Sequence, residues 1–457
     1  MKVMVRKIKK TFKLSTTHII LMSFLILIFI GAFLLSLPVC SANGEFTPFI
    51  DALFTSTTSV CVTGLVTVPT ISHWSTFGHI VILFLIQIGG LGVITTIASF
   101  VVFLHKKMKV SDRLLIQDAL NLDTLSGLTG FLKRIIVGTF IIEGIGALLY
   151  MTVFIPDFGW RGIWISIFNS ISAFCNAGID IVAENSLCNY VTHPIVNFTT
   201  SFLIIIGGLG FVVWWDIVRV FKDRKTNKMK FCNFTLHTKI VLVSTIVLIF
   251  FGAVLVLLFE YNNPNTIANL SLFDKIQVSL FQSITTRTAG FATIPQENLT
   301  NATSLICLLL MFIGGSPVGT AGGIKTVTFV IFVVTAMATI RNSENTNLFN
   351  RKISKEFIRK SVAVVITSFS IMFVSSILLS LTTNANVIDI LYETVSATAT
   401  VGLSRNLTST LSMVGKIIII FTMYFGRVGP ISLAIAFMSK RNVKNVITNP
   451  KEKIYVG

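Results

Sequence analysis

Four glycines, Gly64, Gly178, Gly290 and Gly402, recur at separations of 114, 112 and 112 residues. Each follows a short Ser/Thr-containing stretch and precedes one apolar residue: Leu65, Ile179, Phe291 or Leu403. A fixed period of this kind marks a repeated unit. Glycine accepts positive φ and close backbone approach. Four such segments about one axis would surround it with carbonyl oxygens, which can replace the water around a bare cation inside a membrane. The expected ion-binding residues are Val62, Thr63 and Gly64; Asn176, Ala177 and Gly178; Thr288, Ala289 and Gly290; and Thr400, Val401 and Gly402. No catalytic residues are expected.

Something must carry these segments to mid-membrane. Short apolar stretches lie just upstream at Phe49–Thr55, Trp164–Ser170, Lys275–Gln282 and Ile388–Thr394. They are too short to cross a bilayer and read as re-entrant half-helices. The carbonyl end of a half-helix carries partial negative charge and would point at the axis. The chain would then return in extended form, tolerated at that depth only beside water or buried in protein. Phe54, Phe168 and Tyr392 stand ten residues before their glycines, whereas repeat three has Leu280 there and Phe281 beside it.

The composition excludes a soluble chain: 53% of residues are hydrophobic, 12% are charged, and mean hydropathy is +0.82. The fold expected is all-α and integral to the membrane. Four tandem outer helix–re-entrant pore helix–inner helix repeats would surround one pseudo-four-fold pore. Outer spans are expected near Thr16–Leu37, Lys133–Ile155, Lys239–Phe259 and Ser361–Leu381. Inner spans are expected near Thr76–Leu104, Pro194–Phe221, Thr303–Ile340 and Leu411–Met438. The repeats then occupy residues 16–104, 133–221, 239–340 and 361–438. The links 105–132, 222–238 and 341–360, the N-terminal 1–15 and the tail 439–457 lie on one side. The first apolar run is longer than a signal core and lacks a clear cleavage site, so it reads as a retained span.

Net charge is +18. The basic residues cluster on alternate connections, which marks those as cytoplasmic, places both termini inside and argues against nucleic acid as the partner. The opposite connections hold acids, including Asp51, Asp157, Asp180, Glu184, Glu260, Asp389 and Glu393, as solvated loop residues or as an attractant for cations. The six cysteines have no metal-ligand spacing and read as small packing residues. Neither a nucleotide loop nor a nucleophile elbow is present, and no His/Asp/Glu constellation suggests a membrane enzyme.

A second set of glycines lies in the inner spans: Gly89, Gly90 and Gly92; Gly207, Gly208 and Gly210; Gly314 and Gly315; Gly426 and Gly429. In repeats one, two and four these favour close helix packing. Repeat three differs. As one helix, Thr303–Ile340 would be about 57 Å long, well beyond a ~30 Å core. Its centre reads Gly314-Gly315-Ser316-Pro317-Val318-Gly319-Thr320-Ala321-Gly322-Gly323-Ile324-Lys325. Five glycines and a proline should break it into two helices joined by a polar loop.

The Val-Thr-Gly-Leu65, Asn-Ala-Gly-Ile179, Thr-Ala-Gly-Phe291 and Thr-Val-Gly-Leu403 stretches resemble the four filter segments of the Trk/Ktr/HKT superfamily, over essentially the whole chain. Length and ending are most similar to its KtrB/KtrD branch. The resemblance implies a cell-membrane potassium uptake subunit, with K+ as the transported ion held at the filter carbonyls. A glycine at position 64, where some sodium-selective plant members carry serine, fits potassium. It implies a homodimer on a cytosolic RCK-type ring of the KtrA/KtrC kind, so that nucleotide acts only through that partner and no cofactor is bound here. It also implies that Gly314–Lys325 forms an intramembrane gate below the filter. Arg427 has a matching arginine in the family. It reads as a latch on that loop, an electrostatic barrier, or a helix-end residue snorkelling to the interface, with gating contact favoured. Lys325 reads as an addition to the barrier or as the loop's cytoplasmic end. Arg287 reads as pointing behind the filter to pair with an acid. Glu143 and Asp216 read as structural. An ion-coupled carrier of another solute is the alternative, although four repeats of equal topology argue against two inverted halves.

Overall fold

The computed structural model describes residues 16–103, 113–114, 116–117, 127–222, 231–343 and 345–429. The expected N-terminal segment and C-terminal tail, most of the link 105–132 and residues 223–230 of the next link lie outside these residues. The outer helices run Thr16–Ser36, Leu128–Phe158, Leu236–Glu260 and Lys355–Ser380. Each is long and apolar enough to cross a membrane. Large apolar side chains such as Phe33, Phe140, Phe250 and Phe369 are exposed along them, as a lipid-facing surface requires.

The pore helices are Phe49–Cys61, Arg161–Cys175, Leu272–Thr285 and Val387–Ala399. At 13 to 15 residues they exceed the expected segments and reach almost to the glycines. In each repeat one hydroxyl ties the pore helix to its outer helix. Ser56, Ser170 and Ser283 donate to the carbonyls of Ile28, Glu143 and Ile249, and Thr394 pairs with Ser376. Gly31, Gly146 and Gly252 stand where a Cβ would strike these serines. The helices can therefore approach closely enough to bury the polar tie away from lipid.

The inner helices correct the sequence expectation. Repeat one has Thr76–Leu91 followed by Val93–Phe103, and repeat two has Pro194–Leu209 followed by Phe211–Lys222. The halves meet at bends of 94° and 93°. Gly92 and Gly210 sit at the bends with φ of +87° and +89°, a region that resists a side chain. The glycines were expected to serve packing. They do both: a Cβ on Gly89, Gly207 or Gly426 would strike the carbonyl of Val60, Phe174 or Thr398 at the end of a pore helix. Repeat four follows the pattern, its inner helix Met413–Val428 ending at Gly429, φ +92°. The rest of the expected span to Met438 lies outside the described residues. Repeat three breaks as expected, into Asn301–Phe312 and Thr326–Ile340. Two-residue strands, Asn347–Leu348 and Arg351–Lys352, pair as a small hairpin, the one sheet among the described residues.

The repeats are stitched together on the side from which the pore helices enter. Ser72 donates to Glu184 at 2.9 Å, and the Leu187 amide donates to the Ala292 carbonyl at 2.9 Å. Arg405 pairs with Asp389 at 2.7 Å and donates to the carbonyls of Gln296 and Glu297. Lys416 pairs with Asp51 at 2.6 Å. Repeats one to two, two to three, three to four and four to one are each joined, which closes the arrangement.

Candidate functional site: a closed glycine ring and the loop below it

A left-handed residue follows each pore helix, directly as its cap in repeats one, two and four and three residues past Thr285 in repeat three. Val62, Asn176, Thr288 and Thr400 have φ of 55°, 59°, 67° and 52°. Two residues later the glycines have φ of +100°, +64°, +82° and +98°. The sequence pointed to positive φ at the glycines alone. Nothing in a valine or threonine signals it, since β-branched residues resist this region. Strain of about 1–3 kcal/mol at each such position is held only where surrounding structure dictates the path.

The amides of these strands are tied back to their own pore helices. The Thr63, Ala177 and Val401 amides donate to the carbonyls of Thr58, Ser172 and Ser396 at 2.8 Å, and the Ala289 amide donates to Thr285 at 3.0 Å. The Gly64 and Gly402 amides donate to the hydroxyls of Thr58 and Ser396. In repeats two and three the matching hydroxyls, Ser172 and Thr285, instead donate to the carbonyls of Ile179 and Phe291 at 2.5 and 2.6 Å. The pseudo-four-fold ring thus divides into two pairs of repeats.

These hydroxyls also explain the imperfect aromatic pattern. Four residues before them stand Phe54, Phe168, Phe281 and Tyr392, all almost fully buried. Repeat three is one residue shorter between hydroxyl and glycine, so Phe281 takes the structural place that counting back from Gly290 gave to Leu280.

The four strands meet. A Cβ on Gly64 would lie 2.6 Å from the Ala177 carbonyl oxygen, and on Gly178, 2.6 Å from that of Ala289. On Gly290 it would lie 2.5 Å from that of Val401, and on Gly402 it would strike that of Thr63. Each glycine therefore faces the carbonyl preceding the next repeat's glycine, and the series returns to its start.

Below the ring lies the segment between Phe312 and Thr326. Residues such as Ser316, Thr320, Ala321 and Ile324 are buried. The Ser316 and Thr320 amides donate to the carbonyls of Gly208 and Gly207, and the Phe211 amide donates to Val318. The Thr320 hydroxyl donates to the Phe174 carbonyl at 3.1 Å. Gly322 and Gly323 pack on the ends of the fourth pore helix at Thr400 and Ala399. Gly314 accommodates the Gly322 carbonyl, Gly315 the Ala321 side chain, Gly319 the Gly207 carbonyl, and the Pro317 carbonyl meets Gly210. Val318 is itself left-handed, φ 59°. Lys325 folds back to donate to the Ala321 carbonyl at 2.5 Å. Arg427 donates to Thr320 in the loop at 2.5 Å, and to Gly89 and Gly90 at the first inner-helix break at 2.5 and 3.2 Å. Its guanidinium joins loop to helix rather than reaching for an interface.

The family model described as TrkH, cation transport protein, matches residues 3–445. The chain belongs to this family. The TrkH-family chain is 38% identical to the Ktr system potassium uptake protein B of Bacillus subtilis, covering 99% of both chains. It is 36% identical to the potassium/sodium uptake protein NtpJ of Enterococcus hirae over 100% of both. In three dimensions it is similar to the potassium transporter TrkH of Vibrio parahaemolyticus, with a TM-score of 0.75, 16% identity, and coverage of 94% of this chain and 86% of that one. The four-repeat membrane fold is that of the family, and the chain is a multi-pass membrane protein.

Arg287 of this TrkH-family chain departs from expectation. It lies behind the filter, but among the described residues it has no acid partner; its guanidinium reaches only the Thr245 hydroxyl, at 3.5 Å. Glu143 accepts from Gln87 at 3.1 Å, and Gln87 also takes the Cys175 thiol next to the second filter strand. Asp216 accepts from the amide and hydroxyl of Thr235. Several acids expected in solvated loops are buried instead. Asp180 holds Ser186, Glu260 holds Thr300 and Thr266, and Glu393 holds Ser404 and Thr408. They brace the return segments, a task invisible in a loop sequence.

Proposed function

We propose that the chain is the pore-forming membrane subunit of a potassium uptake system. Potassium passes down its gradient through the glycine ring, where the carbonyls of residues 62–64, 176–178, 288–290 and 400–402 stand in for its water. The observation that carries this reading is the closed cycle of glycine-to-carbonyl approach. A ring that excludes any Cβ leaves main-chain oxygen as its lining, which suits an alkali ion. The carriers named for potassium uptake among its full-length relatives point the same way. A single central ring also fits poorly with a solute carrier that alternates about a cleft between halves.

In this reading Gly314–Lys325 is the gate and Arg427 its latch. The loop packs under the ring; Arg427 of repeat four holds it by one charge-assisted bond, to Thr320, and by two more holds the first inner helix at Gly89 and Gly90. Both termini and the basic links face the cytoplasm, in the cell membrane. There a homodimer of this chain sits on an RCK-type regulatory ring that supplies nucleotide control; the Ktr system name of its relatives supports an assembly of more than one component. Uptake of labelled rubidium into proteoliposomes tests the proposal. Potassium competes with rubidium far better than sodium does, and shortening Gly315–Gly323 raises flux without the regulatory ring. Failure of rubidium to enter refutes the pore. An inactive, well-folded shortened variant refutes the gate.

A further inference from the structure

The third filter strand carries a charge that its surroundings do not neutralise. Arg287 is buried, Nε has no hydrogen-bond partner, and the Thr245 contact is long. An ionised group left so in low dielectric is costly unless something completes its hydrogen bonds. The guanidinium borders a small space of about 10 Å³. Its lining is mostly apolar, Ile204, Ile249 and Ile284 among it, and Thr245, Gly208 and Gly315 also border it. That is about the room one water needs. Two half-helices, Leu272–Thr285 and Pro194–Leu209, end against it, and their negative ends favour a cation there.

The same wall holds the loop. Gly207 and Gly208, whose carbonyls accept the Thr320 and Ser316 amides, form the broken end of the second inner helix, and Gly315 belongs to the loop itself. Arg287 adjoins Thr288, the left-handed residue of the third strand.

We propose that Arg287 and one water held in this cavity brace the third filter strand against the broken end of the second inner helix. Arg287 is thereby a positioning residue shared by the ring and the loop. This rests on the reading of the loop as a gate, but its test does not depend on flux. In full-length protein in lipid nanodiscs, amide-resolved hydrogen exchange is compared between the parent, Arg287→Met and Arg287→Lys. The Ser316 and Thr320 amides exchange roughly tenfold faster in Arg287→Met, the loss of one hydrogen bond to a charged group. They exchange less fast in Arg287→Lys, which keeps charge but loses the fork. The Gly64 and Gly402 amides, held by Thr58 and Ser396 in other repeats, stay as in the parent. Should Arg287→Met fail to assemble, Arg287→Lys decides alone. Unchanged exchange at Ser316 and Thr320, equal acceleration at Gly64 and Gly402, or a high-resolution map with a dry cavity overturns the proposal. If loop shortening leaves flux unchanged while exchange responds, the gate reading fails and the brace stands.

Discussion

Replacing Gly402 by serine tests the ring most directly. The residue has φ +98°, which costs a non-glycine residue about 1–2 kcal/mol. Its Cβ would also strike the Thr63 carbonyl oxygen and stand 2.8 Å from the Gly64 Cα. The obstacles are backbone, so relief requires moving the first repeat's strand, and overpacking of this kind costs a further 1–3 kcal/mol or so. The cost falls on the atoms that line the ion's path. If about half of it becomes distortion of the ring in its potassium-holding form, the preference for potassium over sodium falls roughly 5- to 60-fold, at about 1.4 kcal/mol per factor of ten. The assay is rubidium uptake into proteoliposomes, competed by sodium and by potassium. Gly44→Ser is the control: φ is +71° but nothing lies within 4 Å of its Cβ, so it carries backbone strain without crowding. It lowers thermal stability slightly and leaves ion preference alone. A folded Gly402→Ser protein with parental selectivity, or a Gly44→Ser protein with an equal selectivity loss, would refute the argument from close approach.

Arg427→Gln frees the Thr320 carbonyl and raises rubidium flux measured without the regulatory partner severalfold. Arg427→Lys separates latch from barrier: it raises flux if the bonds to Thr320, Gly89 and Gly90 matter, and leaves flux unchanged if charge alone does. Arg405→Ala loses the Asp389 pair and the bonds to repeat three, lowering stability by roughly 2–4 kcal/mol because the partners are largely buried, read as a fall in the midpoint of thermal aggregation. Tyr392→Phe removes the hydroxyl bond to Gln296 at 2.9 Å, costs about 1 kcal/mol in the same assay and leaves selectivity as it was.

The ring was legible because its requirement is severe. Only glycine satisfies both the backbone angle and the approach at positions 64, 178, 290 and 402, so the residue type betrays the geometry. The broken third inner helix was legible for a similar reason, since a span with Pro317 and five glycines cannot stay helical. The breaks at Gly92 and Gly210 were not. Glycine in a membrane helix serves packing as readily as bending, and Gly89 and Gly207 do serve packing. Only the angle at the third glycine of each cluster separates the two. Arg287 was misjudged because a buried charge suggests an opposite charge, whereas here a distant hydroxyl and a largely apolar wall border it.

The bends and the loop form a single hydrogen-bonding system. A helix that stops inside a membrane leaves its last carbonyls without amide partners, and in hydrocarbon each such group is expensive. At the first break, Arg427 reaches back from repeat four to take the carbonyls of Gly89 and Gly90. At the second, the loop of repeat three supplies Ser316 for Gly208 and Thr320 for Gly207, while the Trp214 indole takes Ile206. The proposed gate is therefore also the capping group of the helix it rests on. Moving it uncovers two carbonyls, which must find other donors at once. Water in the pathway is the donor available, and exchanging a protein bond for a water bond changes free energy little. Opening is then cheap only if water enters as the loop leaves, so displacement of the loop and wetting of the space beneath the ring are one event.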